Sequence, residues 1–189
     1  MALQRNINSL TEVCAQIKEH QLPLWQELPE FELYMDQVLS LIRRYLGGYP
    51  GFDEKGLTAS MVNNYVKQGV LAPPRKKRYC REHLAQLLII CLLKTSMPIA
   101  AVRQLMEDDG AQDDLEGLYR RFCQIFGCVN QEVSDSYTED KDKSVADVIC
   151  KAALRAQAEQ ALAIHLCAGE EDKRGKKESG KEIGRETIG

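Results

Sequence analysis

The sequence predicts an all-α protein interrupted by one short extended loop near residues 72–79. Three observations carry that reading. Six segments repeat apolar residues at three- and four-residue spacing, and none sustains the alternation of a half-buried strand. The longest apolar run, Leu87 to Leu93, lies in a longer segment rich in Leu, Gln and Ala, which suits a central buried helix. The chain has 189 residues, 44% hydrophobic and 28% charged, so it can bury a core across one or two domains.

Residues 2–19 form the first expected helix, with Leu3, Ile7, Leu10, Cys14 and Ile17 on one face. Pro23 ends it. Leu22, Leu24 and Trp25 are expected to tuck into the core as a short connector. Residues 30–46 form the second helix, with Phe31, Tyr34 (or Met35), Val38, Leu41, Ile42 and Tyr45 inward. Gly47 and Gly48 close it, and the Gly-rich loop lacks the Lys-Ser/Thr of a phosphate cradle.

Thr58 is a plausible N-cap for a short helix over 58–68, which Gly69 stops. Met61, Val62 and Tyr65 supply its buried side, and Ser60, Asn63, Asn64, Lys67 and Gln68 its polar side. After Pro73-Pro74 comes the basic run Arg75-Lys76-Lys77-Arg78, closed by Tyr79. The apolar helix over 81–94 follows, with Cys91 as a core thiol and His83 in a structural place at its start. Thr95 to Pro98 make a turn, and Ile99, Val102, Leu105 and Met106 give the next helix its stripe.

A further helix is expected over 112–126, on Leu115, Leu118, Tyr119, Phe122 and Phe126, then an irregular polar linker over 129–144. Ser144 and Asp147 start a long Ala-rich helix over 144–167 in the manner of a capping box. Residues 169–189 hold six acids, six bases and five Gly without an aromatic, a composition that predicts disorder. The expected organisation is therefore an N-terminal helix and connector (1–29), a compact head (30–107), a helical C-terminal region (108–169) and a tail (170–189).

Charge is unevenly placed. Between Lys55 and His83 seven basic residues stand against one acid, a net of +6, so the remainder of a chain of net charge −3 carries −9. Twelve acids and four bases lie between Glu107 and Asp147, a surface that should face away from DNA. One concentrated cationic patch on an acidic protein is what local phosphate binding needs. A solvated loop is the plainer alternative for four cations alone.

The order of features from Asn63 onward adds to this. Asn63-Asn64-Tyr65-Val66-Lys67-Gln68-Gly69-Val70-Leu71 resembles the end of a recognition helix and its turn. Pro73 and the cations ending in Arg78-Tyr79 resemble a wing, and Cys80-Arg81-Glu82-His83-Leu84 resembles the helix start that follows it. With the stretch Ile99 to Met106, this resembles the DNA-binding head of the MerR-type winged helix-turn-helix regulators. The whole stretch is still more similar to an uncharacterised family, known only as a domain of unknown function, that is expected to carry this head. The resemblance covers residues 31–106. Asn63 and Asn64 stand where the MerR pattern usually has an Arg-Tyr pair.

The resemblance implies a transcriptional regulator that reads double-stranded DNA with a recognition helix (58–68) and a basic wing (72–79). The expected contacts are Ser60, Asn63, Asn64, Tyr65 and Lys67 from the helix and Arg75, Lys76, Lys77, Arg78 and Tyr79 from the wing. Asn suits bidentate adenine contacts, and Lys suits guanine or phosphate; Tyr65 fits either the core or a phosphate. One head reads a half-site, so a homodimer through the C-terminal helices is expected. A helical adaptor that keeps the head without binding DNA is the alternative.

Other chemistries find little support. No apolar run approaches the roughly 18 residues of a membrane span, and no secretory signal is expected. Seven cysteines at irregular spacing point to reduced thiols in a cytoplasm and not to a disulfide framework. Cys123 and Cys128 form a C-x4-C pair, but a soft-metal site needs two to four converging thiolates, and Cys123 also fits the buried stripe beside Phe122; metal or redox sensing is the minor alternative. No Cys-His or Ser-His pattern singles out a nucleophile. No enzyme activity, metal or cofactor is expected, and the pattern does not name an effector.

Overall fold

A computed structural model describes residues 2–52, 56–108, 114–138 and 144–182, with side chains over 10–52, 56–107, 114–137 and 144–167. Among them run seven α-helices, α1 (Ala2–Glu19), α2 (Met35–Leu46), α3 (Ala59–Lys67), α4 (Arg81–Leu93), α5 (Ile99–Asp108), α6 (Leu115–Thr138) and α7 (Val145–Glu182). Extended pairing among the described residues is confined to isolated bridges, Leu33 with Tyr79 and Arg75 with Arg78. The mostly helical fold matches the expected class. Lys55, residues 109–113 with the expected helix start at Gln112, residues 139–143 of the expected linker and the last seven residues lie outside the described part, as do the side chains of Leu3 and Ile7.

The core is built around α4. Leu84, Ala85, Leu87, Leu88, Ile89, Ile90 and Cys91 are all buried, so this helix is apolar all round and must be enclosed. Burial raises the Cys91 thiol to about 11, which keeps it protonated and inert. Val38, Ile42 and Leu46 of α2 bury one four-residue stripe, and α2, α5 and α6 all pack on α4. α1 packs mainly along α6.

Four expectations are corrected. First, α2 begins at Met35, not residue 30. Leu33 is in extended conformation and exchanges two backbone hydrogen bonds with Tyr79, at 2.8 and 2.9 Å. That pairing turns Leu33 inward and leaves Phe31 exposed. Second, Leu22 and Leu28 enter the core, while Leu24 is exposed and Trp25 half-buried on a 3-10 turn.

Third, residues 129–138 are helical and continue α6. Their inward positions are the polar Asn130 and Ser134, and Asn130 Oδ1 accepts the Tyr49 hydroxyl at 3.0 Å. Polar side chains on the inner face hide the helical period from hydrophobic analysis. Fourth, α7 extends through Glu182, past the expected start of the tail.

Candidate nucleic-acid interface

α3 is a well-specified short helix. Thr58 Oγ1 accepts the Met61 amide at 3.3 Å, as an N-cap does. At the other end Gly69 has φ +69°. The Val70 amide donates to the Tyr65 carbonyl at 2.9 Å and the Gly69 amide to the Val66 carbonyl at 3.1 Å. These are the two bonds of a Schellman motif, and Tyr65 with Val70 supplies its buried apolar contact.

Helical spacing then sorts the expected contacts. Ser60, Asn63, Asn64 and Lys67 are exposed and, with Met61, line one open concavity of about 520 Å³. Tyr65 is only 6% exposed and joins the core, where burial and then the neighbouring Cys91 push its hydroxyl up. Tyr79 is 3% exposed and anchors the base of the basic loop through its bonds to Leu33. These two tyrosines leave the set of solvent-facing contacts, because each closes the inner end of an element whose polar side faces out.

The basic loop is a tight hairpin. The Arg78 amide donates to the Arg75 carbonyl at 2.8 Å, and the two central residues, Lys76 and Lys77, have φ +49° and +62°. Positive φ at both centres is the type I′ pattern, which favours Asn-Gly. A residue with a Cβ is disfavoured there by about 1–2 kcal/mol. The hairpin therefore holds two lysines at its tip against local conformational preference. Arg75, Lys76 and Lys77 are exposed. Arg78 places its guanidinium 3.6 Å from the centre of the Tyr34 ring. With Glu32 and Tyr34, the residues Arg75, Lys76 and Arg78 line a second open concavity of about 830 Å³.

Two further cations separate by role. Arg81 donates Nε and Nη2 to the Leu28 carbonyl at 3.0 and 2.9 Å and pairs with Glu30 at 3.0 Å. It ties α4 to the connector and belongs to the scaffold. Arg103 of α5 has its Nη1 3.9 Å from where a Cβ on Gly69 would stand, so it sets a guanidinium beside the C-terminal end of α3. Sequence reasoning missed Arg103 at the site and placed Tyr34 (or Met35) on the inward face of the second helix, whereas Tyr34 is exposed under Arg78. Each comes next to the site through the fold alone, 34 residues along the chain from Gly69 and 41 before Arg75.

His83 fixes the join between hairpin and α4. Its Nδ1 accepts the Cys80 amide at 3.1 Å, and its ring meets Tyr79 edge to face at 5.4 Å. Burial lowers its pKa, against a smaller opposing pull from the Ala72 and Pro73 carbonyls. No group of three or more His, Cys, Asp or Glu among the described residues could hold a metal ion. No helix among them is long and apolar enough to cross a membrane.

A family model described as a domain of unknown function, DUF1836, matches residues 23–122. The match spans 100 of 189 residues and includes both concavities, the hairpin and α4. It also reaches into α6, as the core does, since Leu118 and Tyr119 belong to that core. No curated protein and no solved structure matches the chain.

Proposed function

We propose that this chain, which belongs to the DUF1836 family, is a DNA-binding transcriptional regulator of the MerR-like winged helix-turn-helix kind. The observation that carries the proposal is the hairpin. Four consecutive cations, Arg75 to Arg78, stand on a turn whose two central lysines adopt a disfavoured conformation. Strain kept at an exposed site is a mark of function, and flexible cations on a loop follow a phosphate backbone better than base edges.

In this reading the polar side of α3 supplies base contacts. Asn63 and Asn64 can each offer a bidentate amide to adenine, and Ser60 and Lys67 flank them. Arg103 adds a phosphate contact at the end of the same helix. α7 supplies the dimer, because Ile149, Leu154, Leu162 and Leu166 are about 60% exposed or more on a single protomer. All seven cysteines are free, which suits a reducing cytoplasm.

Substitution of the turn separates binding from folding. Replacing Lys76 with Asn and Lys77 with Gly installs the preferred type I′ pair and should stabilise the protein by about 1 kcal/mol. The same change should weaken binding to every duplex and lower the salt slope by roughly 1 per lost phosphate contact. Asn64→Ala should instead cost roughly 1–3 kcal/mol on a preferred site and little on random DNA. Anisotropy titrations with labelled duplexes at several salt concentrations read all three effects. If the turn variant binds duplex as tightly as the parent, the hairpin is a solvated loop and the helical adaptor reading replaces this one.

A further inference from the structure

A half-enclosed cavity of about 510 Å³ lies between the connector and α6, away from the basic hairpin. Its aromatic walls are Trp25, Tyr119 and Phe126, and the α6 backbone at Gly127 completes it. Tyr119 cannot swing away, because it is fully buried and its hydroxyl donates to the Pro23 carbonyl at 2.8 Å. Trp25 and Tyr119 have ring centres 6.1 Å apart. The volume falls within the range of small-molecule sites, roughly 300–1,000 Å³.

Gly127 is the informative residue. It sits inside a 24-residue helix, where glycine is a poor choice relative to alanine. An added Cβ would meet no atom within 4 Å, so close packing within the chain does not account for it. Gly127 is exposed and borders the cavity, so its bare backbone leaves room there for a flat group.

The polar residues define the other end of the occupant. Arg120, Gln124 and Gly127 follow one another at four- and three-residue spacing, so they share one face of α6. Among the described residues that line the cavity, Arg120 alone carries a permanent charge. Its Nη2 binds Glu116 Oε1 at 2.6 Å. That pair is exposed and contributes little to stability, so a competing carboxylate can share the guanidinium. From Arg120 to Gly127 the helix rises about 10 Å, the length of a small aryl-alkyl acid with an extended Arg side chain.

We propose that this cavity binds a small aromatic carboxylate, its ring over Gly127 between Trp25 and Phe126 and its carboxylate on Arg120 and Gln124. The site is independent of the DNA reading, and it is tested without DNA.

Trp25 is the only tryptophan, so its emission reports the cavity directly. The full chain is titrated with 3-phenylpropionate and, separately, with the neutral 3-phenylpropionamide. The acid should give a saturable change in Trp25 emission, with a dissociation constant about tenfold lower than that of the amide. Arg120→Gln should bring acid and amide to equal affinity. Gly127→Leu should put a branched side chain where the ring would lie and weaken the acid about tenfold or more, and circular dichroism should show its helix content and melting temperature kept or raised. The proposal is overturned by no saturable change up to about 10 mM acid, by amide binding equal to acid, or by full binding in Gly127→Leu. If Gly127→Leu misfolds, Gly127→Ala with its single added methyl decides, and it too must weaken the acid.

Discussion

α4 and α7 are both helices, and they are helical for opposite reasons. α4 buries eight of its thirteen residues. In α7, the described side chains from Val145 to Cys167 include no buried one. α4 is made largely of good helix formers but has no polar face, so it needs the rest of the domain to enclose it. α7 rests on local terms, namely its Ala content, a Ser144 cap accepting the Asp147 amide at 3.2 Å and the Arg155–Glu159 pair at 2.7 Å. Among the described residues, the bonds that tie it to the head include Gln160 Nε2 to the Ser96 carbonyl at 2.8 Å and Gln104 Nε2 to the Cys167 carbonyl at 3.2 Å. The contrast teaches that helicity and burial are separate properties, and that a well-formed helix with bare apolar side chains has a face left to fill.

The sharpest way to break the comparison is truncation of matched leucines. Leu88→Ala should cost about 2–5 kcal/mol, because a fully buried site leaves a cavity. Leu154→Ala should change unfolding of the single chain by less than about 0.5 kcal/mol yet weaken self-association. Urea unfolding and sedimentation, run on both variants, read the two effects. Equal costs for the two leucines would show that α7 is packed as tightly as α4.

A second expectation sharpens the account of the core. Tyr119→Phe removes the hydroxyl that donates to Pro23 and leaves that carbonyl buried without its partner. The cost should be roughly 1–3 kcal/mol, seen as a lower melting midpoint with unchanged helix content.

The third concerns pH. Burial lowers the His83 pKa, and that of His20 likewise. The neutral form is favoured by folding, so the folded-state value lies below the unfolded one. Their stabilising contribution is complete above the unfolded value of about 6.5 and is lost as pH falls below it toward the folded value. Melting temperature should therefore drop between about pH 7 and pH 5, and the loss should shrink in His83→Gln. A His83 ring signal that titrates at or above the free imidazole value would contradict this.

The smallest effect belongs to the C-terminus. Deleting residues 170–189 should leave the melting temperature of the head nearly unchanged, because that composition offers too little apolar surface to offset chain entropy. Differential scanning calorimetry of the shortened chain would settle it, and a large drop would mean that this segment docks on the head.

Local chemistry made much of this protein legible from its residues. The Thr58 cap, the Gly69 stop and the Ser144 start all act within a few positions, and the structure has each of them. The four cations of the basic run were equally plain, as was the burial of α4, whose side chains are apolar in every direction. Tertiary structure decided what depends on partners distant in sequence. The pairing of Leu33 with Tyr79 delayed α2, and the burial of Asn130 and Ser134 carried α6 through a polar stretch. The same packing settled Tyr65 in the core, drew Tyr79 inward and brought Arg103 to the end of α3. A side chain's type states what it can bind, but the direction of its backbone and the element packed opposite decide whether it faces solvent or core.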